Sequence, residues 1–171
     1  MRFIRELELR KIIKTFIERG CLELVTRNVM EDDYFKVMDV INNWWGGRQM
    51  THLLPRFFFE HFQSTSFIVE DENNRLSAFL IGFVSQTHPN VAYIHFVGVN
   101  PEIRNKGLAR ELYNLFFSKV RNLGCDTVKC ITSPVNEGSV AYHKSMGFSV
   151  TLGTDFAGKG QDRILFSKKI G

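Results

Sequence analysis

The sequence predicts a mixed α/β fold, of the α+β kind, in which an antiparallel meander of strands is followed by β-α-β crossovers in one mixed sheet. Apolar runs separated by turn residues between residues 66 and 99 indicate the meander. Strands that alternate with amphipathic helices from residue 91 onward indicate the crossovers. With 171 residues and no Pro/Gly/Ser-rich linker, the chain suits one such domain.

The N-terminal segment precedes the pattern that defines this domain. Apolar residues at helical spacing, with charged residues between them, predict an amphipathic helix over residues 3–19 that ends at Gly20. We therefore divide the chain into a helical extension, residues 1–20, and a single domain, residues 21–171. The helix is expected to pack on the domain or on a second subunit, which leaves a homodimer open.

The elements of the domain follow from periodicity and turn signals. In order, they are a strand over 21–30, helices over 31–43 and 51–63, strands over 67–70, 76–86 and 91–99, a helix over 107–122, a strand over 126–132, a helix over 137–146, and strands over 148–152 and 163–170. The first of these helices is expected to bury Phe35, Met38 and Ile41. The apolar stripe of the third is expected to extend to Leu123.

Composition and charge exclude several classes of protein. The net charge of +4 is too small to demand nucleic acid, although it suits an anionic ligand. No apolar run approaches the roughly 18 residues that a membrane helix needs. Cys21, Cys125 and Cys130 lack zinc-type spacing, so we expect free thiols in a reducing cytoplasm and no metal. The expected partners are small molecules, with no nucleic acid and no membrane.

Residues 104–110 have the composition of an anion site at the start of a helix. The first turn of a helix presents unpaired backbone N–H groups, and the helix dipole adds positive charge there. Gly107 lets an anion approach the backbone, while Arg104, Lys106 and Arg110 add full charges. The segment has neither the spaced glycines of the Rossmann fingerprint nor the Gly-Lys-Ser/Thr ending of the P-loop. A basic helix start with a turn glycine remains the alternative.

Two motifs together resemble the GNAT superfamily of N-acetyltransferases. The first is Arg-x-x-Gly-x-Ala, from Arg104 to Ala109, directly after the strand that ends at Val99. The second begins at Asn136, about 30 residues after the first, runs through a helix and ends in Gly147-Phe148. The resemblance implies a splayed, mostly antiparallel mixed sheet and direct transfer of an acetyl group from acetyl-CoA to an amine of a small molecule or peptide.

The resemblance also assigns cofactor contacts, residue by residue. The pantetheine arm would lie on the strand residues, the pyrophosphate on the following turn, and the far end of the pantetheine on the later helix. The positions implied are Val97, Gly98 and Val99; Arg104, Asn105, Lys106, Gly107, Leu108 and Ala109; and Asn136, Ser139 and His143. A bulge near Gly98 would splay the strand, and a backbone N–H near Val97 could stabilise an oxyanion.

The catalytic candidates are less uniform. The family's usual acid is a Tyr four residues before the Gly of Gly-Phe, where this chain has His143, with Tyr142 one residue earlier. Both remain candidates for protonating the leaving thiolate. The alternatives are a half-exposed position on the helix for His143 and a core contact for Tyr142. Many relatives carry a carboxylate where this chain has His95, which is our first candidate for the base. Glu70 and Glu60 are weaker ones, and a structural histidine is the alternative for His95.

The acceptor is expected near the loop that follows the first helix of the domain. Trp44, Trp45 and Arg48 can form an aromatic wall with a guanidinium fork, or instead fill the core and pair with a surface acid. A turn at residues 158–163 could close over the acceptor. A non-catalytic acetyl-CoA-binding or regulatory module on the same fold is the alternative to an active enzyme.

Overall fold

The computed structural model describes residues 13–16 and 23–171. The described residues up to Ile81 form one compact unit with Phe96–Asn114, and Gly82–His95 form another with Leu115–Gly171. Within the described ranges, no helix has the length and apolar character needed to cross a membrane. Cys125 and Cys130 are buried free thiols, as expected, and Cys21 lies outside the described residues.

The strands form one mixed sheet in the order β1-β2-β3-β4-β5-β6-β8-β7. The strands are β1 (Ile13–Phe16), β2 (Glu23–Asn28), β3 (Phe67–Asp71), β4 (Leu76–Val84), β5 (Val91–Val99), β6 (Thr127–Thr132), β7 (Ser149–Gly153) and β8 (Arg163–Lys169). The α-helices are α1 (Asp33–Trp44), α2 (Phe57–His61), α3 (Leu108–Arg121) and α4 (Glu137–Ser145). The predicted fold class is confirmed, and most predicted elements agree with the observed ones to within a few residues.

The helix predicted over residues 3–19 is wrong for residues 13–16, which form β1. This strand pairs antiparallel with β2, from Ile13 opposite Thr26 to Phe16 opposite Glu23. A short segment that gains a full ladder of strand hydrogen bonds can override helical spacing, and Ile13 and Thr15 are β-branched. The remainder of the predicted helix lies outside the described residues.

Helix α1 buries Ile41, as predicted, and half-buries Met38, but its buried face excludes Phe35. Val37, Ile41 and Trp44 are buried at i, i+4 and i+7, whereas Phe35 is 54% exposed. The helix begins at Asp33, two residues later than predicted, and Asp33 itself is buried. Similarly, the predicted stripe of α3 ends earlier, because Val120 is buried and Leu123 is exposed.

The helix predicted over 51–63 is broken into three short pieces. A 3₁₀ turn at Thr51–Leu53, α2, and a second 3₁₀ turn at Gln63–Thr65 replace it. Pro55 lies between the first two pieces, where its missing N–H and its effect on the preceding residue disfavour a continuous helix. Phe58 and Phe59 are nevertheless buried, as expected for a core helix.

A buried ionic network joins β2, α1 and β3 in the first unit. The Arg27 guanidinium donates two hydrogen bonds to Asp33, at 2.6 and 2.8 Å, and its Nε donates to Glu70 at 3.0 Å. Lys36 also pairs with Glu70. Both carboxylates are almost fully buried, and the bond to Asp33 is the main reason that the pKa of Arg27 is raised. The network fixes α1 against the sheet.

The second unit contains the parallel part of the sheet. Backbone pairing joins Val91–Tyr93 of β5 to Thr127–Lys129 of β6, and stops there although both strands continue. Strand β6 then pairs antiparallel with β8 over six residues, and β8 with β7 over five.

Candidate active site

The turn before α3, in the first unit, has the backbone of an anion site. Asn105 and Gly107 have positive φ angles, 67° and 87°, and α3 begins at the next residue, Leu108. The first intrahelical hydrogen bond runs from the N–H of Glu111 to the carbonyl of Gly107, at 3.1 Å. The amides of residues 108–110 therefore precede the helix ladder and point out of its start.

The space in front of this turn is open. A Cβ placed on Gly107 would meet no atom within 4 Å. Lys106 and Arg110 are exposed beside it, and residues 100–121 carry five basic and two acidic side chains. Backbone amides, a helix dipole and excess positive charge around an open glycine fit a pyrophosphate.

Arg104 has a structural role in this unit that the sequence did not reveal. Its guanidinium donates to the carbonyl of Trp44 at 2.7 Å and to the carbonyl of Val99 at 3.3 Å. These bonds tie the end of β5 to the end of α1. The side chain thereby holds the turn in place, whereas the sequence argument treated it only as a charge for the ligand.

Strand β5 contains one residue more than the part of β4 that it faces. The N–H of Asn100 donates to Ser77, and the N–H of Ser85 donates to Val91. Nine steps along β5 thus correspond to eight along β4, which is the signature of a β-bulge.

Contacts between aromatic rings show where in β5 the bulge lies. Tyr93 stacks on Phe83 in the second unit, while in the first unit Phe96 packs with Phe79. Phe79 and Phe83 lie on one face of β4, so Tyr93 and Phe96 lie on one face of β5 although their positions differ by three, an odd number. The extra residue therefore lies between them, earlier than the position near Gly98 that the sequence predicted.

His95 lies beside this bulge. It is half-buried, and it follows the last backbone pair of β5 with β6 by two residues. In a regular strand, Tyr93, His95, Val97 and Val99 would lie on one face, but the extra residue reverses the alternation and separates Tyr93 from the last two. A β-bulge disrupts the ladder locally and redirects side chains, and bulges are frequent next to active sites.

Gly98 is explained by aromatic packing in the first unit. A Cβ at this position would lie 2.5 Å from Cε1 of Phe79 and 3.0 Å from Cη2 of Trp45. The Trp45 ring also packs against Phe96, with centroids 5.2 Å apart. Glycine is needed here so that these rings can rest directly on the backbone of β5.

Trp44 and Arg48, the other two residues predicted to contact the acceptor, have different surroundings. Trp44 is buried and stacks on Phe79 with centroids 6.0 Å apart, so it belongs to the core. Arg48 is exposed, and its Nε donates to the carbonyl of Trp45 at 3.1 Å. Trp45 is half-buried and contacts both the strand and the loop that holds Arg48.

His143 is buried within the second unit, and only 6% of its surface is exposed. Its ring stacks on Phe166 with centroids 4.0 Å apart. Nδ1 lies 2.7 Å from the carbonyl oxygen of Ser139, which can only accept, so Nδ1 carries the proton. Burial lowers the pKa of His143, against the opposing effect of that bond, and the neutral ring is the favoured form.

The second nitrogen of His143 faces Cys130. Nε2 lies 3.3 Å from Sγ, and in the neutral ring it accepts the thiol hydrogen. Burial raises the pKa of the Cys130 thiol, which keeps it protonated as this bond requires. Burial also raises the pKa of Tyr93 to about 12. In the sequence, the only sign of this contact is that the alternation of β6 puts Cys130 on the buried side of the strand.

The start of α4 is organised by Asn136. Its side-chain oxygen accepts from the N–H of Ser139 at 3.3 Å, and its amide nitrogen donates to Thr132 at 3.1 Å. This is an N-cap that also connects the helix to the end of β6. Tyr142 is half-buried with its phenol oxygen turned inward, in edge contact with His143.

The two weaker candidates for the base are bound by cations. Glu70 belongs to the network of Arg27 and Lys36, and Glu60 pairs with Arg56 at 2.9 Å. Among residues 13–16 and 23–171, no three His, Cys, Asp or Glu side chains come together as a metal site would require.

Comparison with known proteins identifies the family. The family model for the acetyltransferase (GNAT) family matches residues 27–148, which is more than half of the chain. The chain belongs to this family.

Individual relatives are more distant. The L-2,4-diaminobutyric acid acetyltransferase of Halalkalibacterium halodurans is 30% identical over 87 residues, which span 51% of this chain and 46% of that protein. The diaminobutyrate acetyltransferase of Paenibacillus lautus, solved with its substrate and coenzyme A, superposes with a TM-score of 0.68 at 20% identity over 87% of this chain and 96% of that one. A protein of Salmonella typhimurium solved with acetyl-CoA gives 0.64 at 18% identity, over 86% and 94%.

Proposed function

We propose that the protein is an acetyl-CoA-dependent N-acetyltransferase that transfers the acetyl group directly to an amine of a small molecule or peptide. Membership of the GNAT family supports the class of reaction. The single observation that carries the proposal is the turn before α3, because its open glycine, outward amides and basic side chains suit the pyrophosphate of coenzyme A.

The cofactor's contacts follow from these residues. Asn105, Lys106, Gly107, Leu108 and Ala109 would bind the pyrophosphate, with Arg104 fixing the turn. The backbone of Val97, Gly98 and Val99 would pair with the pantetheine arm, and Asn136 and Ser139 at the start of α4 would contact its far end. Acetyl-CoA supplies the thioester acetyl group, and the protein supplies orientation and proton transfer.

The bulge of β5 is the proposed reaction centre. A backbone N–H near Val97 is the proposed donor to the oxyanion that forms on the acetyl carbonyl. His95, beside the bulge, is the proposed base that takes a proton from the acceptor ammonium, directly or through a water.

Protonation of the leaving thiolate has two candidates of unequal suitability. Both ring nitrogens of His143 already have partners, Ser139 and Cys130, and burial disfavours the charged form. We therefore assign His143 to positioning α4 on β6. Tyr142, whose phenol oxygen is turned inward, is the proposed acid.

The acceptor is proposed to bind near Trp45. This ring is half-buried beside the backbone of β5, and Arg48 on the same loop offers a cation for an acidic group of the acceptor. The curated relative named for diaminobutyrate makes a small amino-acid-like amine the first compound to try. The match spans about half of that relative, so the acceptor is left as a small amine or peptide.

Turnover with a panel of amines tests the proposal. The protein is mixed with acetyl-CoA and each amine. The release of free thiol is measured with a colorimetric thiol reagent, and the product is identified by mass spectrometry. The expected result is thiol release that depends on an amine and matches the amount of acetylated product. Cofactor binding without amine-dependent release across the panel would favour a non-catalytic acetyl-CoA-binding module instead.

A further inference from the structure

The helices of the second unit pack on only one of the two faces of its sheet. Helix α4 lies on the face where His143 contacts Cys130 of β6 and stacks on Phe166 of β8. The part of α3 in this unit lies on the same face, because Phe117 packs with Phe148, which packs with Phe166. Side chains alternate along a strand, so the neighbours of Cys130 and Phe166 belong to the opposite face.

This opposite face, which we call the open face, is formed by Tyr93, Lys129, Ile131, Leu165 and Ser167. The register puts Tyr93 of β5 opposite Lys129 of β6, and Lys129 opposite Ser167 of β8. Ile131 is likewise opposite Leu165. Lys129 is exposed, and Ile131 is 38% exposed, so a molecule in solution has access to this face.

Lys129 lies where the pairing of β5 with β6 ends. Its pair with Tyr93 is the last one, and His95, the proposed base, follows Tyr93 by two residues. Neighbouring strands are about 4.8 Å apart and two residues of a strand span about 6.6 Å, so roughly 8 Å separates the backbone of Lys129 from that of His95. A short molecule can therefore contact both side chains.

The charge of the open face favours an anion. The four strands β5, β6, β7 and β8 contain no Asp or Glu, whereas Lys129, Arg163 and Lys169 all alternate onto this face. Lys169 is paired with Asp126 at 3.1 Å, but no carboxylate of the described residues is paired with Lys129. A cation without an acidic neighbour attracts a negatively charged group of a ligand.

We propose that Lys129 determines acceptor specificity, by binding an anionic group of the acceptor, a carboxylate or a phosphate, while the acceptor amine lies at His95. Tyr93 is a second donor on the same face, because burial raises the pKa of its phenol and keeps it protonated. A cation and a neutral donor side by side suit an anion. The inference rests on the proposed function and deepens it, since it names the acceptor as an amine that also carries an acid group.

Matched pairs of amines test the inference through thiol release. L-2,4-Diaminobutyric acid is compared with 1,3-diaminopropane, which lacks the carboxylate, and 2-aminoethyl phosphate with ethanolamine, which lacks the phosphate. The wild type is expected to have the higher kcat/KM for the anionic member of at least one pair, and that pair identifies the anion. Lys129→Gln should lower this kcat/KM about ten- to hundredfold, as loss of a charge-assisted hydrogen bond does. The neutral amine and the KM for acetyl-CoA should be nearly unaffected.

Two variants control for charge. Lys129→Arg keeps the cation and should retain most of the preference. Lys144→Gln removes the same charge from α4, on the other side of this unit's sheet, where Lys144 is also exposed, and it should keep the full preference.

The outcomes separate this inference from the proposed function. A wild type that turns over amines but prefers neither anionic one would overturn the inference and leave the proposed function standing. The same holds for a preference that Lys129→Gln leaves intact, or that only Arg48→Gln removes. No thiol release with any amine would overturn both.

Discussion

Replacement of Gly98 by alanine tests the packing that shapes the strand proposed to bind the pantetheine arm. The added Cβ would lie 2.5 Å from Cε1 and 2.9 Å from Cζ of Phe79, and 3.0 Å from Cη2 of Trp45. Carbon atoms in ordinary contact are separated by about 3.5–4.0 Å, so the Phe79 ring must move by about 1 Å. Because Phe79 is fully buried and also packs against Trp44 and Phe96, it has little room for this movement.

The expected cost can be bounded. Overpacking of a core by one methyl group costs about 1–3 kcal/mol, from which about 0.4–1 kcal/mol is recovered because alanine restricts the unfolded chain. For a domain of this size, each kcal/mol corresponds to about 2–4 °C in Tm. We expect Gly98→Ala to unfold at lower denaturant and temperature, and its tryptophan emission to shift because Trp45 is displaced.

Gly138→Ala is the matched control for this experiment. Gly138 lies in α4, and a Cβ there would meet no atom within 4 Å. Its stability should be unchanged or raised by up to about 1 kcal/mol. If Gly98→Ala were as stable as Gly138→Ala and kept the native tryptophan emission, the packing argument would be refuted.

Four further predictions concern the cofactor, the ionic network, the buried histidine and the acid. Gly107→Glu should abolish acetyl-CoA binding in calorimetry, because it places a carboxylate at the open turn, whereas Gly107→Asn, which adds an uncharged side chain and tolerates a positive φ, should weaken binding less; equal affinities would remove the phosphate assignment. Arg27→Met leaves buried carboxylates without their main cation and should lower the free energy of unfolding by about 3 kcal/mol, and a loss below measurement error in urea titration would contradict the network's role. The pKa of His143 is lower in the folded chain than its ordinary value near 6.5, so stability should fall as pH falls below about 6.5, and His143→Gln should flatten this dependence. If Tyr142 is the acid, Tyr142→Phe should lower kcat more than it changes KM for acetyl-CoA, and an unchanged kcat would exclude it.

Periodicity and turn signals were sufficient for most of the fold. Strand β5 was predicted with its observed bounds, because a run of mostly apolar residues, a preceding turn and Asn100-Pro101 all mark it in the sequence. Helix α3 was also predicted to begin within one residue of its observed start, because a turn precedes it in the sequence. The motifs around Gly107 and Asn136 then indicated the family, which the family model confirms.

What the sequence could not supply were features set by long-range contacts. Strand β1 depends on pairing with β2, and the exposure of Phe35 depends on which face of α1 meets the sheet. The extra residue of β5 becomes visible only when its hydrogen bonds are counted against β4.

The same limit applies to the candidate site. His143 looked like a proton donor by its position in the motif, and only the approach of Cys130 from β6 shows why its second nitrogen accepts a hydrogen bond. Arg104 likewise looked like a ligand charge until its bonds to two carbonyls were seen.

The backbone amide spectrum of the protein during titration with acetyl-CoA tests the central claim most directly, because the claim assigns the pyrophosphate to particular N–H groups. We expect the largest chemical-shift changes at the amides of residues 105–110. These changes should saturate at the same acetyl-CoA concentration as the heat of binding measured in parallel. Saturable binding that leaves those amides unmoved would contradict it.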